Sequence, residues 1–203
     1  MWLAPLEAAD YSSINSLCYR HLSEVTSLGA EQISFPRPAS NGMGKQKIAS
    51  GFARLFGAQP ALPRAHVVSV ETDITKGLHA FAIVGLPDKS VEEAKDRIAS
   101  AIKNSGFESP KRSNKKIVIS LAPATLKKEG GAFDLPMALS FMLASEQVKF
   151  NPAGKLFAGE LALDGEVRAI PGALSIAISV RDKGLKEFFL PEDNLEEASL
   201  VSG

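Results

Sequence analysis

The chain has 203 residues, of which 45% are hydrophobic and 23% charged, a composition typical of a globular protein with one main domain. Its 23 basic and 23 acidic residues cancel, so no overall field attracts nucleic acid or an anionic membrane, and any such contact must be local. The single cysteine, Cys18, excludes an internal disulfide. The N-terminus lacks the basic and apolar regions of a signal peptide, and the apolar run 135–145 is too short to span a bilayer. These features predict a cytoplasmic protein without a membrane partner.

Residues 1–42 differ from the sequence that follows. They contain few periodic apolar positions and end in a Pro/Ser/Gly/Asn cluster, Phe35–Gly42, which is typical of a linker. Met43 then opens the first segment with the pattern of a folded domain. Two interpretations stay open for residues 1–42, a disordered lead-in or a gene start placed too early. Residues 43–203 are expected to form the domain.

From residue 44 onwards, strand-like and helix-like segments alternate, which predicts an α/β (α+β) fold. Lys47–Ala53 is expected to be a short first strand. His66–Ile74 and Ala80–Val84 alternate apolar and polar residues on either side of a turn signal at Lys76-Gly77, and this predicts an antiparallel pair.

A helix is predicted to open at Pro87–Ser90, because Ser90 and Glu93 have the spacing of a capping box. Its apolar residues share one face, its carboxylates form a solvated face, and Gly106 is expected to end it. The later predicted elements are a strand at Lys116–Ser120, a buried helix at Leu135–Ser145, a hairpin over Leu156–Ile170 with a type I′ turn at Asp164-Gly165, a helix at Leu174–Arg181, a strand at Glu187–Leu190 and a helix starting near Asn194.

Two segments resemble the active-site frame of Lon-type proteases. The loop Lys128–Asp134 is similar to the Lys-Asp-Gly-Pro-Ser loop that carries the Lon serine, and Ala132 stands at the serine position. The segment from Gly159-Glu160 to Gly172 is similar to the one that precedes the Lon lysine, and Leu174 stands at the lysine position. A methyl group cannot attack a carbonyl and an isobutyl group cannot accept a proton, so we expect no catalytic residue at either position.

The same loop has a structural interpretation. Gly130 and Gly131 are expected to shape a tight turn, Phe133 to pack inward, and Asp134 to cap the helix that starts at Leu135. An alternative keeps a residual or altered serine peptidase, in which Ser120, Ser140 or Ser175 would replace the missing nucleophile.

Several segments, taken together and in order, resemble the magnesium-chelatase-like AAA+ ATPases of the ComM (YifB) type from about residue 45 to the end. The segments that carry the resemblance are Val70–Ile74, Phe81–Asp88 with Gly85, Pro87 and Asp88, Ala101–Gly106, Leu121–Ala124, Lys128–Pro136 and Gly159-Glu160-Leu161. The resemblance implies the N-terminal Lon-protease-like domain (ChlI domain), with the fold of ribosomal protein S5 domain 2, βαβ units and a β-hairpin. It also implies an ATPase module that follows in full-length members, assembles into a hexamer and drives DNA branch migration in recombination and natural transformation.

That ATPase module is not in this sequence. A phosphate-binding loop needs Gly, four residues and then Gly-Lys-Ser/Thr. The nearest match, Gly44-Lys45, has Ala39 in place of the first glycine and Gln46 in place of the hydroxyl. We therefore expect no ATP or magnesium to bind this chain, and the chain is a candidate fragment of a longer protein.

The basic loop between the first predicted helix and the next strand carries Lys111, Arg112, Lys115 and Lys116. These cations could contact DNA phosphates, or they could belong to an ordinary solvated turn without any aromatic residue for base stacking. The three histidines are scattered without the spacing of metal ligands, so no metal site is expected. The function favoured by the sequence is a non-catalytic accessory domain; a peptidase and a stand-alone binding domain are the alternatives.

Overall fold

The computed structural model describes residues 51–112 and 114–201 together with the backbone of strand β1, Val25–Leu28. The linker predicted at Phe35–Gly42, the alternative start at Met43 and the beginning of the strand predicted at Lys47–Ala53 lie outside the described residues. No helix in the described ranges is both long and apolar enough to cross a membrane.

The main sheet has seven strands in the order β1-β9-β6-β2-β3-β5-β4. The pairs β9–β6, β6–β2 and β5–β4 are parallel, and the pairs β1–β9, β2–β3 and β3–β5 are antiparallel. The strands after β1 are β2 Phe52–Gln59, β3 His66–Lys76, β4 Ala80–Val84, β5 Lys115–Ala122, β6 Lys155–Phe157 and β9 Glu187–Pro191, and the short strands β7 Glu160–Leu161 and β8 Val167–Arg168 form a separate antiparallel pair.

Within the described residues, four α-helices accompany the sheet: α1 Lys89–Asn104, α2 Asp134–Ala144, α3 Ala173–Asp182 and α4 Leu195–Ala198. Strand β2 separates two apolar clusters because its alternate residues point to opposite faces. Leu55 belongs to the cluster that α1 and α2 cover, whereas Ala58 belongs to the cluster that α3 covers. The fold is therefore α/β, as the sequence predicted, and helices lie on both faces of one mixed sheet.

The prediction that β3 pairs with β4 is wrong. Strand β5 lies between them, antiparallel to β3 and parallel to β4. Helix α1 connects β4 to β5, and a parallel pair requires such a crossover rather than a tight turn. The Lys76-Gly77 turn therefore joins two strands that are not neighbours.

The hairpin is smaller than predicted. Only β7 and β8 form it, because β6 belongs to the main sheet. Gly165 has a positive φ of 100° but Asp164 does not, so the turn is not type I′, which needs positive φ at both central residues. The Gly165 amide donates to the Ala162 carbonyl and the Ala162 amide to Glu166, the pattern of a three-residue loop with a glycine bulge.

The helix predictions mostly agree with the structure. Every residue of α2 is buried, as its uniformly apolar sequence predicted. Helix α1 ends at Asn104, just before Gly106, which has a positive φ of 90°. Its N-cap is Asp88 and not the predicted Ser90, since the Asp88 carboxylate accepts a hydrogen bond from the Val91 amide.

Candidate functional site

The turn after β4 and the loop before α2 lie side by side, although they are far apart in the sequence. The Lys128 amide donates to the Leu86 carbonyl at 3.1 Å, and the Asp88 amide donates to the Lys128 carbonyl at 2.9 Å. The Gly130 amide donates to Ser90 Oγ at 3.0 Å across a separation of 40 positions. These contacts bring the predicted motif residues of both segments into one corner of the domain, which we call the motif corner.

Asp88 anchors one side of the motif corner. Its Oδ1 accepts hydrogen bonds from Ser90 Oγ at 2.6 Å and from the Val91 amide at 2.9 Å. Partial burial opposes ionisation, but these hydrogen bonds and the charge of Lys127 hold the pKa of Asp88 below its usual value. Asp88 is therefore an ionised helix cap rather than a poised acid or base.

The glycines of the motif corner differ in what surrounds them. Gly130 has a positive φ of 82° and open space beside it. Gly131 has an ordinary backbone, and a side chain there would approach the Glu160 carboxylate. The amide of Gly159, the residue before Glu160, donates to the Ala132 carbonyl at 3.1 Å. The loop that precedes α2 is thus fastened to the segment that precedes β7.

Lys128 lies at the centre of the motif corner and is completely buried. Its Nζ donates to the Gly85 carbonyl at 2.7 Å and to the Pro123 carbonyl. Burial lowers the pKa of Lys128, because desolvation disfavours the charged ammonium and none of the described carboxylates forms an ion pair with it. The ammonium group joins the turn after β4, the end of β5 and the loop before α2.

Replacing Lys128 with methionine is expected to lower the free energy of unfolding by about 2 kcal/mol at neutral pH, since hydrogen bonds from a charged donor are lost while the volume is kept. The loss should grow at alkaline pH. The folded chain releases the Lys128 proton at a lower pH than the unfolded chain, so the wild type gains stability as pH rises towards 10.5, and the variant lacks this gain.

Urea denaturation across that pH range checks the Lys128 prediction, with Lys127→Met as the matched control. The side chain of Lys127 is 61% exposed and pairs with Glu129 at the surface, so its loss should cost little. Equal effects of the two substitutions would contradict the structural role given to Lys128.

Asp134 does not cap α2, and this prediction is wrong. Asp134 is the first residue of α2, fully buried, and accepts hydrogen bonds from Arg97 Nε at 2.8 Å and Arg97 Nη2 at 3.1 Å. The Leu161 amide also donates to its carboxylate at 3.2 Å. The Asp134 carboxylate therefore connects α1, α2 and β7 through a two-point ion pair that the sequence did not predict.

The two positions predicted to match the Lon dyad lie in or beside apolar packing. Ala132 is 4% exposed and belongs to the cluster beneath α3, together with Ala173. Leu174 follows on α3, is half-buried, and its amide donates to Glu197 Oε1 at 3.1 Å. The neighbouring Phe133 points into the other cluster and is fully buried, as predicted.

The serines considered as substitutes for the nucleophile have other partners. Ser140 Oγ is buried 2.7 Å from Thr72 Oγ1, and Ser175 Oγ donates to the Gly172 carbonyl at 2.9 Å. Ser120 is a half-buried residue of β5. These contacts assign structural roles to Ser140 and Ser175, and no lysine or histidine among the described residues is hydrogen-bonded to either hydroxyl.

An open groove of about 400 Å³ lies beside the first residues of β3. Its lining includes apolar residues from β3 and from the segment after β5, and its polar members are His66, Thr125 and Lys183. Its lining contains no serine or cysteine, and Pro123 is its one residue from the segments that carry the resemblance. Within the described ranges, no group of three or more His, Cys, Asp or Glu residues is placed to hold a metal ion.

The predicted basic residues are only partly free. Lys111 Nζ pairs with Asp96 Oδ1 at 2.5 Å, whereas Arg112, Lys115 and Lys116 are exposed. Lys111 and Arg112 lie in a short 3₁₀ turn, and Lys115 and Lys116 begin β5. The sequence grouped four equivalent cations, but one of them is neutralised by its neighbour.

These features define the class of the protein. It is an α/β domain of the Lon-protease type, with helices on both faces of a mixed sheet. The family model described as "Subunit ChlI of Mg-chelatase" matches residues 70–194, more than half of the chain. The chain belongs to this family, and the predicted resemblance is confirmed.

Individual relatives agree with this assignment. The chain is 47% identical over 137 residues to "Uncharacterized protein YifB" of Escherichia coli, and the aligned region covers 67% of this chain and 26% of that protein. It is 41% identical over 140 residues to "Competence protein ComM" of Haemophilus influenzae, covering 68% and 27% respectively. A Lon protease of Leptospira interrogans is 27% identical over 127 residues, or 63% of this chain and 15% of that protein. The chain thus spans about a quarter of the length of the YifB and ComM relatives.

Proposed function

We propose that this chain is a non-catalytic Lon-like accessory domain of a ComM-type ATPase. The observation that carries the proposal is the identity of the two dyad positions: Ala132 is 4% exposed within an apolar cluster, and Leu174 is an aliphatic residue on α3. Neither side chain can act as a nucleophile or a base. The neighbouring loop, held by Lys128 and by the Arg97–Asp134 pair, serves the architecture of the domain.

The ATP-dependent work belongs to the module that follows this domain in full-length members. In that arrangement the module binds ATP and magnesium, forms the hexamer and drives DNA branch migration, while this domain supplies contacts to the ring, to neighbouring copies or to DNA. The aligned region is only 26% of the YifB relative and 27% of the ComM relative, and this supports the proposal that the domain belongs to a longer protein. If the reading frame downstream of Gly203 lacks a Gly-x-x-x-x-Gly-Lys-Ser/Thr loop, the proposal that an ATPase module follows this domain is wrong.

We expect the purified chain to release no acid-soluble peptides from casein and no fluorophore from peptide substrates. A Lon protease serves as the positive control for both assays. If cleavage is observed, Ser120→Ala, Ser140→Ala and Ser175→Ala variants identify its origin. Cleavage that one of these substitutions abolishes would establish a peptidase and refute the accessory-domain proposal.

A further inference from the structure

We propose that one end of the main sheet binds the phosphate backbone of duplex nucleic acid through Lys76, Arg112, Lys115 and Lys116. We call these four residues the basic end. The proposal rests on the accessory function, one of whose proposed contacts is to DNA, and deepens it by assigning that contact to a surface of this chain. It requires no ATPase module, and it is independent of whether the chain cleaves peptides.

The central observation is a pair of like charges that the sheet holds together. Lys76 ends β3 and Lys115 begins β5, and the two are direct partners in the antiparallel register. Directly opposite side chains have Cβ atoms about 5 Å apart, and like charges there are destabilising. Both lysines are exposed, and neither forms an ion pair with any described carboxylate. The fold therefore holds an uncompensated pair of cations at this end.

Two further cations extend the basic end. Lys116 is exposed and, as the next residue of β5, points to the opposite face from Lys115. Arg112 is exposed in the 3₁₀ turn just before β5. Lys111 is excluded because the Asp96 carboxylate already pairs with it at 2.5 Å. The structure thus adds Lys76 to the predicted basic loop and removes Lys111 from it.

The nearby carboxylates leave this charge uncompensated. Asp73 lies on β3, Glu108 lies in the segment after α1, and neither is within 4.0 Å of a basic-end cation. Asp96 is occupied by Lys111. Because the whole chain has zero net charge, the excess at the basic end is local rather than a consequence of composition.

The arrangement fits a dense and regular polyanion. The β-ladder fixes the spacing of the strand lysines, whereas duplex DNA presents one negative charge per about 1.7 Å of its axis. The segments 76–80 and 108–116 contain no Phe, Tyr or Trp on which bases could stack. Contacts should therefore be to phosphates and independent of sequence, with little preference for single strands.

Fluorescence anisotropy with a labelled duplex of random sequence tests this proposal on the 203-residue chain. We expect the wild type to bind with a salt-dependent affinity. The triple variant Lys76→Gln/Lys115→Gln/Lys116→Gln should bind about tenfold or more weakly at 0.1 M salt, and its salt slope should fall by about 3, since each lost phosphate contact removes about 0.9. The matched control is Lys149→Gln/Arg168→Gln/Lys183→Gln, which removes three exposed cations elsewhere and should bind like the wild type.

A single substitution separates binding from folding. Lys76→Glu places opposite charges across β3 and β5, so we expect the thermal midpoint to be unchanged or higher while duplex affinity falls. Equal binding by the wild type and the triple variant would overturn the proposal. So would competition by polyglutamate as effective as that by unlabelled duplex, because the surface would then fit an acidic protein instead.

Discussion

Replacing Arg97 with leucine is expected to destabilise the fold by about 3 to 5 kcal/mol, the cost of leaving one partner of a buried ion pair without the other. Asp134 is fully buried, and its two carboxylate oxygens accept the Arg97 Nε and Nη2 hydrogen bonds. After the substitution only the Leu161 amide would still donate to the carboxylate. Urea denaturation of the variant and the wild type measures the difference.

Asp134→Asn should cost less than Arg97→Leu. The side chain of Arg97 is 26% exposed, so its guanidinium can still reach water when the carboxylate is removed. Arg54→Leu is the control, since Arg54 pairs with Glu71 at the surface with 58% of its side chain exposed, and its loss should cost less than about 1 kcal/mol. If Arg97→Leu proved as mild as Arg54→Leu, Asp134 would not be the anchor that the contacts indicate.

The effect of Arg97→Leu should shrink as pH falls. Burial raises the pKa of Asp134 above its ordinary 3.8, against the opposing influence of Arg97, and removing Arg97 leaves burial opposed only by the Leu161 amide. The folded variant then takes up a proton at a higher pH than its unfolded chain does. Its deficit is therefore largest above the folded pKa and decreases as pH falls through that value towards 3.8. Denaturation at neutral and at acidic pH tests this sign.

Local sequence patterns predicted most of the elements but not how they pair. The apolar run at 135–145 predicted a buried helix, and α2 is buried throughout. The register of β3 against β5 depends on a helix crossover between β4 and β5, and the local turn signal at Lys76-Gly77 gives no information about it. Pairing between distant segments was for this reason the main error in the predicted fold.

The buried polar contacts of the motif corner were missed for a related reason. Arg97 and Asp134 are 37 positions apart, and the sequence predicted only a local role for Asp134, as a helix cap. One signal was available. Arg97 lies three residues after Ala94 and four before Ala101, both buried, so it borders the apolar face of α1. A cation at that border requires a partner from the element packed against it.

Gly85→Ala is expected to destabilise the fold by about 3 to 4 kcal/mol, because left-handed backbone strain and overpacking add together. Gly85 has a positive φ of 104°, and an added Cβ would lie 2.1 Å from the Leu121 carbonyl oxygen. That oxygen belongs to the backbone of β5, which pairs with β3 and β4. It cannot move without shifting the sheet and the motif corner beside it. The Gly85 carbonyl also accepts the Lys128 hydrogen bond, so the substitution disturbs the same network from a second side.

Gly130→Ala and Gly131→Ala separate the two contributions. Gly130 has a positive φ of 82° but nothing within 4 Å, so it should show backbone strain alone, about 1 to 2 kcal/mol. Gly131 has an ordinary φ, but an added Cβ would lie 2.5 Å from Glu160 Oε2 and 2.7 Å from Glu160 Cγ, so its alanine variant should show the cost of displacing that side chain without backbone strain. Thermal and urea unfolding of the three variants should show Gly85→Ala as the most destabilised. If Gly85→Ala were no worse than Gly130→Ala, close packing against Leu121 would not be the reason that a glycine stands at this turn.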